Sequence, residues 1–150
     1  MNIKFEAIIL QLPEKVFPWV ADPEKAMKWQ KNVKGGEIIK NDPNIIGTTF
    51  KEIIEEDGKT LEMFGKITKY EKEKVIGFHI ESKIHAFDVS YLLKGTGETT
   101  KFVIEVVIQW KFPMNVVSLF IGGKIAERIT GELKAEVDEL KRFCEGTQEQ

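Results

Sequence analysis

The sequence predicts an α+β domain in which a curved antiparallel sheet is closed by one long C-terminal helix. Three observations carry this. Between Ile3 and Trp110, most segments alternate apolar and polar residues with a period of two, the pattern of strands with one covered face. Tight turn signals join these segments, which implies antiparallel neighbours. From about Asn115 to Glu145, Ile121, Ile125, Ile129, Leu133, Val137, Leu140 and Cys144 recur every four residues, with one step of three. That spacing marks one face of a helix. Each four-residue step overshoots a helical turn by about 40°, so the stripe slants, as suits a helix laid diagonally across a curved sheet.

The elements follow in order. Ile3, Phe5, Ala7 and Ile9 alternate with Asn2, Lys4 and Glu6, giving a first strand that ends before Pro13. Pro13 and Glu14 suit the first turn of a short helix carrying Val16, Phe17 and Val20. Asp22-Pro23-Glu24 opens a second, with an N-cap residue followed by proline at the first helical position. Gly35-Gly36 closes that section, and strands and turns follow. Glu37 to Lys40 is a short strand before the turn Asn41-Asp42-Pro43-Asn44. Thr48 to Glu56 and Thr60 to Tyr70 form a hairpin around Asp57-Gly58. Val75 to Ser82, Ile84 to Lys94 and Thr99 to Lys111 complete the meander, and Pro113 separates it from the closing helix.

Alternation assigns the inner faces. Met63, Gly65 and Ile67 share one, as do Ile76, Phe78 and Ile80. His85, Phe87, Val89 and Tyr91 share another, and Ile104, Val106, Ile108 and Trp110 the last. Glu52 falls between Phe50 and Ile54 on a less regular strand.

Composition bounds the partners. The 150 residues fit a single domain, 1–150, with a real core, and the formal net charge is −2. Balanced charge without basic clusters gives no reason to expect a nucleic-acid partner. Charge or glycine interrupts every apolar stretch well short of the ~20 residues that span a bilayer, so no stable membrane insertion is expected. The N-terminus lacks the pattern of a signal peptide, and the single cysteine cannot form an internal disulfide. A cytoplasmic location is the expectation. The two histidines, His79 and His85, fall on strands with opposite facing, so neither a metal site nor a cofactor is expected. Gly122-Gly123-Lys124 lacks the rest of a phosphate-binding loop.

Several local motifs resemble one superfamily. Leu12-Pro13-Glu14-Lys15-Val16-Phe17 followed by Asp22-Pro23 resembles the opening of START-like proteins, and Trp29 stands where many members carry tryptophan. Ile46-Gly47-Thr48, Gly97-Glu98-Thr99-Thr100 and Leu140-Lys141-Arg142-Phe143-Cys144-Glu145 resemble further motifs, in family order along nearly the whole chain. The resemblance is to the START-like, or SRPBCC, superfamily, which includes polyketide cyclase/dehydrase-like and lipid-transport proteins. It implies a helix-grip fold. Because the superfamily hosts carriers, enzymes and cochaperone domains, it does not specify chemistry.

Candidate chemistry lies on the predicted inner faces. A carboxylate at Glu52 among Phe50 and Ile54 would have its pKa raised by desolvation, suiting acid/base work, unless a bulge turns it outward. His85 either meets a ligand or sits at the rim. Tyr91 offers its hydroxyl to a ligand or to the backbone. Arg128 pairs with a ligand carboxylate or Glu52, or is solvated, and Cys144 is inert. Val116 to Phe120, apolar nearly all round and followed by Ile121-Gly122-Gly123, reads either as tight helix packing or as a mobile gate.

The expected function is binding of a small hydrophobic molecule, such as a lipid, isoprenoid or aromatic metabolite, in a pocket between sheet and helix. The expected lining is Glu52, Met63, Gly65, Ile67, Phe78, His85, Phe87, Tyr91, Ile104, Ile108 and Trp110 from the sheet, with Ile121, Ile125 and Ile129 from the helix. Gly65, lacking a side chain, is expected to leave space beneath the helix, and the pocket to open near Gly122-Gly123. The alternatives are a cyclase/dehydratase-like enzyme using Glu52, His85 or Tyr91, and a protein-interaction module using the apolar residues around Val116 to Phe120.

Overall fold

The computed structural model describes residues 1–56 and 58–146. Asp57, half of the expected Asp57-Gly58 turn, lies outside them. Strand β1 (Asn2–Ile9) is followed by two short helices, α1 (Pro13–Ala21) and α2 (Pro23–Trp29). Six strands come next: β2 (Val33–Lys40), β3 (Thr49–Glu56), β4 (Lys59–Glu71), β5 (Val75–Glu81), β6 (His85–Thr96) and β7 (Thr99–Trp110). The chain closes with α3 (Met114–Gly146). The seven strands form one antiparallel sheet in the order β1-β7-β6-β5-β4-β3-β2. This is the helix-grip architecture expected from the sequence.

Local chemistry explains the joints. Pro13 and Pro23 occupy the starts of α1 and α2, and the Asp22 carboxylate accepts the Glu24 N–H at 3.0 Å, which caps α2. Gly58 and Gly97 turn the chain with positive φ, a conformation that favours glycine. Gly35 and Gly36, expected to end the helical section, instead lie inside β2 beside a register shift. At such an edge, glycine allows the bulge that bends the strand.

The core sits towards one end. Ile9, Val16, Trp29, Phe102, Ile104, Val137, Leu140 and Cys144 are fully or almost fully buried. The Trp29 indole N–H donates to the Trp19 carbonyl at 2.7 Å, tying α2 to α1. Trp19 stacks on Phe143 with ring centroids 5.0 Å apart, tying α1 to the end of α3.

The helical stripe is only partly buried. Val137, Leu140 and Cys144 are in the core, whereas Ile125, Ile129 and Leu133 are only partly covered and Ile121 is exposed. Of Ile125, Ile129, Leu133, Val137 and Leu140, all expected to be buried against the sheet, only the last two are. The physical reason is the slant of the stripe, together with a hollow beneath its middle.

Candidate functional site: a cavity between sheet and closing helix

A cavity of about 920 Å³ lies between the concave face of the sheet, α2 and the middle of α3. Its sheet wall includes Glu52, Met63, Ile67, Phe78, His85, Phe87, Tyr91, Ile104 and Trp110, and its helix wall includes Ile125 and Ile129. These eleven residues were expected on the inner faces. Strand alternation brings them together: each sits at an inward position, and antiparallel pairing sets Phe87 beside Ile108 and Tyr91 beside Ile104.

Three expected lining residues lie elsewhere. Ile108 is buried in the packed core rather than at the cavity surface. Ile121 is exposed on α3 because the slanting stripe has left the sheet by that turn. Gly65 is covered by the Phe50 ring, whose carbons occupy the space that a Cβ there would need. Residue 65 therefore supplies close packing instead of open volume.

The opening also differs from expectation. Among the lining residues, Asp22, Pro23, Glu24, Gly36, Glu37, Ile38 and Arg128 reach solvent. The mouth accordingly lies between the start of α2, strand β2 and the middle of α3. Gly122 and Gly123 are outside the cavity; Gly122 sits above Met1, where an added Cβ would stand 3.7 Å from the methionine methyl.

The polar groups of the wall are few. Glu52 faces inward with Phe50 and Ile54, because β3 pairs with β4 without a register shift at that point. Burial raises its pKa. Tyr91 lies in a ring cluster with Trp29, Phe78 and Phe102, at centroid separations of 6.0, 5.9 and 5.8 Å. Its hydroxyl accepts a hydrogen bond from the Gln30 amide at 3.3 Å. Burial and the charges of Glu136 and Glu52 raise its pKa, so it is a neutral phenol. Glu136 from α3 completes the group: burial first, then Glu132, push its carboxyl up to about 7, with Lys31 opposing.

Sequence reasoning missed Glu136 and Gln30. Glu136 sits next to Val137 in a charge-rich helix and looks like a solvated residue. The slant of the stripe, carried through to the last turns, is the signal that turns position 136 towards the hollow. Gln30 carries no periodic signal.

His85 lies at the far end between Phe87 and Trp110, with centroids 4.3 and 5.3 Å away. The Ser82 hydroxyl lies 2.7 Å from its Nδ1 and accepts the N–H groups of Ile84 and His85 at 3.2 Å. With its oxygen accepting both backbone donors, the hydroxyl proton is directed to Nδ1, leaving the imidazole proton on Nε2. Burial lowers the His85 pKa, consistent with a neutral ring. Ser82 is outside the cavity wall and closes a turn. His79 is held on the other face by Asp88 and Glu81, at 2.8 and 2.9 Å. Arg128 is at the mouth, its Nε donating to Glu132 at 3.2 Å. Cys144 is buried and its thiol is pushed up to about 12 by burial and Glu145. Among the described residues, no group of His, Cys, Asp and Glu could hold a metal ion.

The sequence profile of the polyketide cyclase / dehydrase and lipid transport family matches residues 9–145. The chain belongs to this family. No curated protein sequence matches it. Among solved structures, a protein from Thermus thermophilus, TTHA0849, is similar at 15% identity and a TM-score of 0.81, covering 98% of this chain and 99% of that one. A START superfamily protein from Mycobacterium smegmatis is 13% identical with a TM-score of 0.81, covering 97% and 98%. The Zhui aromatase/cyclase from Streptomyces sp. R1128 is 11% identical with a TM-score of 0.76, covering 97% and 93%. At such identities the likeness establishes the START-like fold. No helix among the described residues is long and apolar enough to cross a membrane.

Proposed function

We propose that this family member binds a small hydrophobic molecule in the cavity between its sheet and α3. The supporting observation is the hollow itself: about 920 Å³ inside a 150-residue domain, walled by side chains such as Phe78, Phe87, Ile104 and Ile129. Volumes of a few hundred to about 1,000 Å³ suit small-molecule ligands. Affinity comes from removing apolar ligand surface from water at roughly 25 cal/mol per Å², with the few polar wall groups fixing orientation.

A reading as a cyclase/dehydratase-like enzyme stands second, favoured by Tyr91 and Glu52 from the sheet and Glu136 from α3 lining the same cavity. A carboxyl near neutrality beside a neutral phenol is suited to proton transfer. The test separating the two is native mass spectrometry of freshly purified protein, followed by incubation of any co-purified molecule with the protein. An unchanged bound molecule supports the carrier reading; its conversion supports the enzyme. Failure of the folded protein to bind either a co-purified molecule or an apolar dye would overturn both.

A further inference from the structure

The cavity's charged groups are mainly acidic, with six carboxylates in its lining against Lys51 and Arg128. Glu52 from β3 and Glu136 from α3 both line it, one from the sheet and one from the helix. Among the described residues, neither carboxylate has a hydrogen-bond or salt-bridge partner. Two basic residues, Lys51 and Arg128, line the same cavity, and both are paired with carboxylates other than Glu52 and Glu136. Lys51 Nζ lies 3.7 Å from Glu37 and 3.8 Å from Glu62, and Arg128 bonds to Glu132. Exposed Lys31, outside the lining, acts on Glu136 from beyond ion-pair distance. Tyr91 stands within electrostatic reach of both carboxylates and keeps an acceptor lone pair after its bond from Gln30. At the mouth, Asp22 and Glu24 add two more acids, while Glu37 and Glu132 are paired with Lys51 and Arg128.

Carboxylates held away from water without a partner are costly, and a cation placed beside them offsets that cost. The acidic rim favours entry of cations and opposes entry of carboxylate-bearing molecules such as fatty acids. We infer that the ligand is an amphiphile with a basic amine, its apolar body against Phe78, Phe87 and Ile129 and its ammonium at the acidic wall beside Tyr91, held by Glu136 with Glu52 adding its charge from the sheet. This inference rests on the cavity being a ligand site and names the chemical class of the ligand.

Proton linkage gives a second signature. Glu136 is flanked by Glu132 on its own helix and acts on Tyr91 from across the cavity, as does Glu52, with Lys31 after α2. Because its carboxyl titrates near neutrality, an ammonium binds best once the proton has left. Amine affinity therefore rises between about pH 6 and about pH 8, well below the ~10 at which an alkylamine itself loses charge.

The experiment is displacement of Nile red, a neutral dye, from the folded protein by dodecylamine, dodecanol and dodecanoate, each below its micellar concentration. Near pH 8, dodecylamine should displace the dye at least about tenfold better than the other two. Its advantage should shrink near pH 6. In Glu52→Gln and Glu136→Gln the advantage should be lost while dodecanol competes as before, with circular dichroism reporting the fold. Should a variant misfold, the pH dependence of the unaltered protein still decides. Equal displacement by all three chains overturns the amine assignment and leaves the cavity reading standing. Absence of Nile red binding to the folded protein overturns the cavity reading itself.

Discussion

The two halves of α3 carry the same repeat and meet opposite fates. From Val137 onward the stripe lies in the core, where Val137, Leu140 and Cys144 pack with residues of the sheet and α1. Before Ile125 the helix is exposed nearly all round: Leu119 and Phe120 are 82% and 84% exposed, and Phe112 just before the helix is 82% exposed. Between these halves, Ile125, Ile129 and Leu133 face the cavity. Periodicity thus reports which residues share a face and says nothing about what lies opposite that face. The end of the helix meets Trp19 and strands, the middle meets a hollow, and the start meets mainly solvent.

This contrast can be broken by truncation along the stripe. Leu140→Ala should have the largest effect, costing about 2–5 kcal/mol in chemical denaturation, because it leaves a void in a packed region. A cost below about 1 kcal/mol would show that the second half is not anchored as described. Next comes Glu136→Gln. In the folded protein the Glu136 carboxyl titrates near 7, above the ordinary 4.5, so the folded state holds its proton more tightly. Stability from this group is present below about pH 4.5 and is lost as pH rises through 7. The Gln variant should therefore be more stable than the parent by about 1–2 kcal/mol near pH 8, after allowance for water in the cavity, and lose that advantage near pH 4.5. An advantage independent of pH would remove the buried carboxyl from the account.

Leu133→Ala should cost less, about 1 kcal/mol, because the side chain already borders empty volume and its loss enlarges a hollow instead of creating one. A cost equal to that of Leu140→Ala would show that the middle of the helix is packed solid. Phe120→Ser should change stability by less than about 0.5 kcal/mol, as expected for a side chain with few neighbours. Thermal unfolding checks this, and a marked destabilisation would mean that the first half is covered in solution.

The fold was legible because each element spoke twice, once through periodicity and once through its boundaries. Pro13, Pro23 and Asp22 marked the helix starts, and the strand faces on β4, β5, β6 and β7 came directly from alternation. The site was legible only as far as facing is. Eleven lining residues follow from the inward side of a strand or helix. Gly65 did not, because whether an absent side chain leaves a space depends on a neighbour across the strand pair, here Phe50. The mouth did not either, since it is set by where α2 and β2 stop covering the sheet. Glu136 stayed hidden because a glutamate on a charged helix has the same composition signal whether it faces water or a hollow.

Cys144 gives the anchored half of α3 a clock. It is the chain's single cysteine, it is buried, and its thiol stays protonated at neutral pH. A thiol-reactive reagent can therefore modify it only after the last turns of the helix lift from Trp19 and the sheet. At low reagent concentration the labelling rate reports how often those turns are open, and at high concentration it approaches the rate at which they open. No residue need be changed, so local opening at the helix end can be timed in the unaltered protein, with and without a molecule in the cavity.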